Sequence, residues 1–316
     1  MNEFCFQNFQ AEFLPALTEL QRICTHAKDD SSLMDASFFL SPGFNNGKNI
    51  ELAFDKSGNL QGYATILPLY QSGKLEGAQI FRLEMQVMPE IEPKDNLLDH
   101  LLVRVRARAE QIKAEMGIDK AVLSCSHFSS NPAAISFLES RGFKRYESFF
   151  EMHRDLSVWI VDHQPPQDIE VRAWRMQTEE ERCQYVQAYR KVFYERSLNE
   201  DDLASFCRSE MWMAGTTFSA FKGEALVGSV MAFYDPNLRR NTDRAGSIEH
   251  MFVLEEERNR GIGSALLGQA LIYLKQRGLR FAKVEMAAVD PEPLGFFETA
   301  GFELFREEIA FGLNLG

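Results

Sequence analysis

The sequence predicts an α/β fold with a mixed sheet, built as two similar domains in tandem. Three observations predict it: a length of 316 residues, alternating helix-like and strand-like segments, and similar segments at a nearly constant spacing. A chain of this length usually forms two domains, because a single core stops growing beyond about 250–300 residues. Each half is therefore expected to fold as one domain with the same elements.

Four pairs of segments occur in the same order in the two halves. Segments 59–64 and 225–230 are offset by 166 residues, and Met85-Gln86-Val87 lies at the same offset from Met251-Phe252-Val253. Two later pairs share a second offset, 159. These are 137–143 with 296–302, and 149–156 with 308–315. Four matches in order, with a single change of offset, indicate a duplication.

Each half is predicted to contain the same elements in the same order. A helix comes first, followed by a β-hairpin, a strand, a long amphipathic helix, a buried strand, a short helix and a last strand. Gly117 and Gly278 lie where glycines end helices. The predicted ranges are helix 13–27, hairpin 51–54/62–68, a strand to Val87, helix 96–116, strand 121–125, a short helix to Gly142 and strand 149–156; then helix 179–196, hairpin 217–221/225–233, a strand to Val253, helix 263–277, strand 282–286, a short helix to Gly301 and strand 308–315.

The predicted domains follow this repeat along the chain. Residues 1–156 form the first domain and residues 169–316 the second. Residues 157–168, which include the stiff run Pro165-Pro166-Gln167-Asp168, are interpreted as a linker.

Composition narrows the class of protein. The net charge of −12 disfavours binding to nucleic acid or to an anionic membrane, since both require a cationic face. The N-terminus resembles no signal peptide, and no run of about eighteen apolar residues occurs. The odd set of five cysteines lacks a Cys-x-x-Cys pair, which predicts reduced thiols, no metal site and a cytoplasmic location.

Residues 258–263, Arg-Asn-Arg-Gly-Ile-Gly, lie between a strand-like run and a helix-like run. The first turn of a helix has unpaired N–H donors and the positive end of the helix dipole, so it favours an anion. Two glycines let the backbone approach that anion closely, and two arginines add positive charge. The segment predicts a pyrophosphate-binding loop.

Other phosphate loops do not fit this segment. A nucleotide-binding P-loop needs Lys-Ser or Lys-Thr after its last glycine, and the dinucleotide fingerprint needs a third glycine or alanine where Leu266 stands. The remaining pattern, Arg-x-x-Gly-x-Gly with Val253 five residues ahead of Arg258, resembles the coenzyme motif of the GNAT family of acetyl-CoA-dependent acyltransferases. Phe296-Phe297-Glu298-Thr299-Ala300-Gly301-Phe302 is similar to a second segment of that family.

The first half lacks this loop, so its GNAT-like copy is predicted to be degenerate. Glu92-Pro93-Lys94-Asp95-Asn96-Leu97 stands at the corresponding place. Both glycines are absent, Asp95 adds a negative charge and Pro93 lacks a donor. The first domain is therefore expected to serve as a scaffold or as one wall of the acceptor site. This layout is similar to that of the mycothiol synthase family, in which the C-terminal of two GNAT copies is active.

The resemblance implies a set of coenzyme-binding residues. Backbone groups of Met251, Phe252 and Val253 would bind the pantetheine arm and polarise the acyl carbonyl. Asp290 and Phe297 occupy two further positions, where the family usually has an asparagine and a tyrosine. The residues implied for the pyrophosphate are Arg258, Asn259, Arg260, Gly261, Ile262, Gly263 and Ser264.

The general base implied by the resemblance comes from the strand before the loop, commonly at the position of Ser247. Regular alternation places Glu249 on the same face as Ser247, Met251 and Val253, so Glu249 is the first candidate. It could instead pair with a neighbouring arginine. His250 is the reserve candidate.

The acid that protonates the leaving thiolate is usually a tyrosine in this family. Phe297 cannot donate a proton, which leaves a water molecule, Tyr273 or unassisted departure.

The favoured function is acetyl-CoA-dependent transfer of an acyl group to a small amine by the second domain, in a monomer or a homodimer. Two alternatives remain: a non-catalytic acyl-CoA-binding regulatory protein, and an aminoacyl-transferring tandem GNAT protein.

Overall fold

The computed structural model describes residues 4–26, 36–69, 77–193, 198–235, 245–288 and 292–316. The chain forms two compact units. Unit 1 contains Met1–Ser148 with Glu307–Gly316, and unit 2 contains Phe149–Arg306. The predicted α/β class with a mixed sheet is confirmed, since both units combine parallel and antiparallel strand pairs with packed helices.

The first half of the chain follows the predicted order of elements, preceded by a short strand that the repeat does not show. Its elements are β1 (Cys5–Asn8), α1 (Leu14–His26), β2 (Ile50–Phe54), β3 (Leu60–Leu69), β4 (Gln79–Val87), α2 (Lys94–Glu115), β5 (Ala121–Phe128), α3 (Pro132–Ser140) and β6 (Lys144–Asp155).

The second half repeats this order and adds two short helices after its first long one. Its elements are β7 (Glu170–Ala173), α4 (Glu179–Val192), α5 (Glu200–Phe206), α6 (Glu210–Ala214), β8 (Thr216–Lys222), β9 (Ala225–Phe233), β10 (Ala245–Val253), α7 (Ile262–Gln276), β11 (Phe281–Ala288), α8 (Glu292–Thr299) and β12 (Glu303–Leu315). A capping box at Thr178 and Glu181 starts α4, because each side chain satisfies a backbone N–H of the other residue.

The two repeats exchange their terminal strands. The order in unit 1 is β1-β2-β3-β4-β5-β12, and the order in unit 2 is β6-β11-β10-β9-β8-β7. Residues Glu308 to Leu315 of β12 pair antiparallel with Phe128 to Ala121 of β5. The compact units thus differ from the domains expected at 1–156 and 169–316. The sequence repeat cannot reveal the exchange of terminal strands, because β6 and β12 carry similar patterns and β5 and β11 are equivalent partners.

The strands of each unit are covered on both faces by apolar side chains. In unit 1, Leu101 and Val105 of α2 pack on one face, and Leu17 and Leu20 of α1 pack on the other. In unit 2, α7 packs on one face and the aromatic side chains of α4 pack on the other. No described helix is both long enough and apolar enough to cross a membrane.

Candidate active site

The site begins where two parallel strands of unit 2 separate. β10 and β11 pair from Ala245 with Phe281 to Ile248 with Val284. Both strands continue beyond this last pair, to Val253 and Ala288. Backbone groups past Ile248 are thus released from the parallel ladder at the end of the sheet that leads into the 258–263 loop.

A β-bulge in β10 lies just past this point. Glu249 pairs with Met231 and Phe252 pairs with Ser229, so one extra residue is present in β10 between these pairs. His250 has a φ of 47°, in the left-handed region that residues other than glycine seldom adopt. A bulge leaves the extra residue outside the ladder and re-aims the side chains that follow it.

The bulge changes which side chains of β10 share a face. Ile248, Met251 and Val253 pack with the α7 core, whereas Phe252 packs with the aromatic core of α4. The prediction that Glu249 shares a face with Met251 and Val253 is therefore wrong. Glu249 follows Ile248 before the bulge, so alternation directs it to the opposite, α4-covered face.

The loop after β10 has the geometry of an anion cradle. Asn259 has a φ of 60° and Gly261, the N-cap of α7, has a φ of 82°. The first hydrogen bond of α7 runs from the Ala265 N–H to the Gly261 carbonyl, at 3.0 Å. The N–H groups of Ile262, Gly263 and Ser264 therefore belong to the first turn, where a helix offers donors to an anion.

A pocket of about 570 Å³ joins the bulge to this loop. At Gly263 a Cβ would lie 3.5 Å from the Phe296 ring and 3.6 Å from the methyl carbon of Met251, so a larger side chain would extend into the lining of the pocket. The lining residues are Val192, Phe193, Met251, Phe252, Val253, Glu257, Arg258, Asn259, Gly261, Ile262, Gly263, Ser264, Phe296 and Phe297.

The two arginines of the loop lie in different surroundings. Arg258 lines the pocket, and its Nε donates to the Val253 carbonyl at 3.2 Å. Arg260 is not among the lining residues. Its guanidinium contacts the carboxylate of Glu257 and lies 2.6 Å from that of Asp168. Arg260 thus ties the loop to the end of the predicted linker, and its charge is partly neutralised.

Glu249 lies half-buried beside the last parallel pair of strands and is not among the residues that line the pocket. Burial raises the pKa of its carboxyl group, and the neighbouring Lys283 and a hydrogen bond with Ser247 oppose that rise in part. Among the described residues no arginine pairs with Glu249, and the charged groups there that act on it are Lys283 and Glu285. A carboxylate whose pKa is raised toward neutrality suits a general base.

His250, the reserve candidate, lies against an aromatic ring. The centre of its imidazole ring is 5.2 Å from the centre of the Tyr189 ring in α4. This places His250 on the same face as Glu249, a consequence of the bulge that alternation alone does not predict.

The group that would protonate a leaving thiolate is not supplied by the expected helix. Phe297 is buried, lines the pocket and packs 5.4 Å from the Phe302 ring. The hydroxyl of Tyr273 donates to the Ala214 carbonyl at 2.8 Å, and Tyr273 does not line the pocket. Asp290 lies outside the residues that the structure describes.

Sequence reasoning missed four lining residues. Val192 and Phe193 come from the end of α4, Glu257 from the turn before the loop and Phe296 from α8. The only signal for Val192 and Phe193 is their apolar character at a helix end, which also fits an ordinary core position.

Within the described ranges, no three His, Cys, Asp or Glu side chains group in a way that could hold a metal ion.

Residues 171–302 match the model of the acetyltransferase (GNAT) family. A comparison with curated proteins gave no match.

Several solved structures share the fold over nearly the whole chain. A GCN5-related N-acetyltransferase from Sphaerobacter thermophilus is 18% identical with a TM-score of 0.69, and the match covers 100% of this chain and 96% of that one. A tandem GNAT protein from the clavulanic acid biosynthesis pathway is 14% identical with a TM-score of 0.61, and the match covers 99% of both chains. Residues 171–302 thus match the acetyltransferase (GNAT) family, and the fold of the chain is shared over nearly its whole length with these two solved structures.

Proposed function

We propose that the protein is an N-acyltransferase that binds acetyl-CoA in unit 2 and transfers the acetyl group to a small amine. The observation that carries this proposal is the pocket of about 570 Å³, in which the bulged end of β10 meets the first turn of α7. One end of the pocket offers backbone groups released from the sheet, and the other offers N–H donors. An extended ligand with a polar arm and a diphosphate is complementary to both ends.

Each part of the site has a distinct role in this proposal. The first turn of α7 holds the diphosphate, and backbone groups of Met251, Phe252 and Val253 position the thioester. The amine nitrogen attacks the thioester carbonyl directly: a C–N bond forms, the C–S bond breaks and the coenzyme thiolate leaves. Glu249 accepts the proton that the attacking nitrogen loses. The thiolate needs little assistance, since a thiol is far more acidic than an alcohol.

Calorimetric titration of acetyl-CoA into the intact protein tests the binding step. We expect one equivalent to bind to the intact protein, and binding to be about 100-fold weaker or more in the Gly261→Asp/Gly263→Leu variant, which copies the loop of the first half. Two equivalents would show that unit 1 also binds coenzyme. Absence of binding to the intact protein would contradict the proposal.

A panel of small amines, with free thiol as the readout, tests transfer once binding is established. The expected result is amine-dependent release of thiol above the rate of hydrolysis. Polyamines, amino sugars and amino acids cover the main classes of small acceptor.

A second candidate is a protein that binds acyl-CoA without turnover. Phe297 favours it, because a buried phenyl ring occupies the position where the family usually places a proton-donating tyrosine. Coenzyme binding without release of thiol across the whole amine panel would favour this candidate over the transferase.

A further inference from the structure

A second cavity of unit 2 lies next to the coenzyme pocket. Its volume is about 410 Å³, and its walls come from α7, α8 and the segment that follows β6. Ser264 and Phe296 line both cavities. From Ser264 the second cavity extends along α7 to Leu271, a distance of about 10 Å at the rise of an α-helix.

Arg154, in the wall of this cavity, is a buried cation without an anionic partner among the described residues. Its relative exposure is 8%, so it is more than nine-tenths buried. One guanidinium nitrogen donates to the Trp159 carbonyl at 2.9 Å, and the buried Nε has no hydrogen-bond partner. Burial lowers the pKa of Arg154, which reflects the cost of holding this charge away from water.

The chain around Arg154 leaves room for its guanidinium. A Cβ at Gly301 would lie 2.6 Å from Nη1 of Arg154, so a side chain at that position would displace the guanidinium. A guanidinium offers five donors in a planar fork, which matches the oxygens of a phosphate. A single carbonyl and an unpartnered Nε leave much of this capacity unused.

An aromatic ring stands at the mouth of the same cavity. Trp159 lines the cavity and is 81% exposed, whereas Trp174 and Trp212 are buried. An exposed indole provides a face on which a nucleobase can stack. A stacking ring and a buried guanidinium on one cavity together suit a purine nucleotide that carries a phosphate.

We propose that this cavity binds a phosphate monoester through Arg154, and that its occupant is the 3′-phosphate of the coenzyme, with the adenine against Trp159. This inference rests on the proposed function, because it extends the coenzyme site beyond the shared wall of Ser264 and Phe296. The charge comes from β6 at the end of the first repeat, so one repeat contributes to the coenzyme site formed by the other.

Titration of CoA and of 3′-dephospho-CoA, each into the intact protein and into Arg154→Met, tests this subsite. The intact protein should bind CoA about 10- to 100-fold more tightly than 3′-dephospho-CoA, the range for a hydrogen-bonded charge. Arg154→Met should bind both forms with the same affinity, equal to that of the intact protein for 3′-dephospho-CoA. An unchanged preference for CoA in this variant would overturn the proposal.

A second variant covers failure of Arg154→Met to fold. Trp159→Phe alters an exposed side chain, and the quenching of tryptophan fluorescence by CoA should be lost in this variant if adenine stacks on Trp159. Quenching that is equal in Trp159→Phe and in the intact protein would count against the stacking arrangement.

Titration with inorganic phosphate distinguishes the 3′-phosphate of the coenzyme from a separate phosphate ligand. If the intact protein prefers neither form of the coenzyme, phosphate is titrated at saturating 3′-dephospho-CoA. Binding that Arg154→Met abolishes would support a separate phosphate ligand, and absence of binding would overturn the subsite. If neither form of the coenzyme binds, the proposed function fails, and the titration with phosphate alone decides the subsite by the same criterion.

Discussion

The two repeats differ most where the long helix of each unit begins. In unit 2, Gly261 caps α7 with a φ of 82°, and the first turn carries no acidic residue. In unit 1, α2 starts after Pro93, Asp95 lies in its first turn and Leu97 is fully buried. The same helix–sheet scaffold therefore begins its long helix with an open glycine loop in one unit, and with a buried leucine and an aspartate in the other.

The strand before each helix shows a second difference. β3 and β4 pair without interruption from Gly62 with Val87 to Leu69 with Ile80. The bulge of β10 has no counterpart in that ladder. The parallel pair formed by β4 and β5 nevertheless ends at Arg82 with Ser124, well before either strand ends. The separation of the parallel strands belongs to the scaffold, whereas the bulge is specific to unit 2.

The strand register places a glutamate at equivalent positions of β4 and β10. Glu84 pairs with Thr65 in unit 1, and Glu249 pairs with Met231 in unit 2. Thr65 and Met231 are 166 residues apart, whereas the glutamates are 165 apart, because the bulge inserts one residue after Glu249. Burial raises the pKa of both carboxyl groups. In unit 1 the Tyr63 hydroxyl donates to Glu84 at 2.8 Å.

The buried glutamate and the separated strands are therefore not what sets unit 2 apart. Both features occur in unit 1, which lacks the cradle. The bulge and the two glycines are what unit 2 adds.

Substitution of the glutamates should have the largest effect. Glu249→Gln is expected to lower kcat about 10²- to 10⁴-fold, the usual contribution of a general base. Glu84→Gln, the matched control in unit 1, should leave kcat unchanged. Steady-state kinetics of both variants measure this difference, and similar losses in the two would show that the glutamates act through stability.

The pH dependence sharpens this test. Because burial raises the pKa of Glu249, the active carboxylate forms only as pH rises through that raised pKa, so kcat should increase over this range. Glu249→Gln should remove this limb of the profile. A raised carboxyl pKa also means that the charged form destabilises the folded state above that pKa. The melting temperature of Glu249→Gln at neutral pH should therefore equal or exceed that of the intact protein.

Conversion of the cradle to the unit 1 sequence should have the next largest effect. Gly261→Asp/Gly263→Leu is expected to weaken coenzyme binding about 100-fold or more, through lost hydrogen bonds to a charged group and added repulsion. Calorimetry measures the affinity. Gly278→Ala is the control, because Gly278 has a φ of 74° and open space at its Cβ but lies away from the pocket. Equal loss in both would point to backbone strain.

Removal of the bulge should have a smaller effect. Deletion of His250 would give β10 the uninterrupted register of β4, so backbone groups near Met251 would pair with β9 instead of facing the coenzyme. A loss of about tenfold in coenzyme affinity is expected, equivalent to one or two hydrogen bonds. His250→Gly keeps the bulge and relieves the positive φ, so it should bind normally. Undiminished binding by the deletion variant would show that the bulge has no part in the site.

The smallest effect is expected from Asp95→Asn in unit 1. This change removes the negative charge from the first turn of α2, where Asp95 also lies 3.7 Å from Arg141. The free energy of unfolding should fall by about 0.3–1 kcal/mol, because the helix dipole loses a favourable charge. Coenzyme stoichiometry should remain one equivalent, since β4 still lacks a bulge. A second equivalent would mean that charge alone closes the unit 1 site.

Local patterns predicted most of the elements well. The predicted helix 96–116 compares with α2 at Lys94–Glu115, and the predicted helix 263–277 with α7 at Ile262–Gln276. Apolar periodicity fixed these helices, and glycines marked where they end. The short strands β1 and β7 and the short helices α5 and α6 were missed, since four to seven residues carry too little periodic signal.

The candidate site was predicted only in part. The loop was found because its glycines and its position before a helix are local features. The face assignment of Glu249 failed at His250, since one inserted residue reverses the alternation and leaves no mark in composition. The pairing of Arg260 with Asp168 also escaped prediction, because it joins residues far apart in the chain.

The sequence by itself determined the duplicated α/β architecture, the position of the glycine loop before α7 and its absence from the first repeat, because each depends on residues adjacent in the chain. Only the tertiary structure decided which strand each terminal strand pairs with, where β10 bulges and which side chains enclose Arg154. These features depend on pairing between distant segments. A strand such as β12 carries the same local pattern whichever neighbour it joins, so its partner is selected by packing in the folded chain.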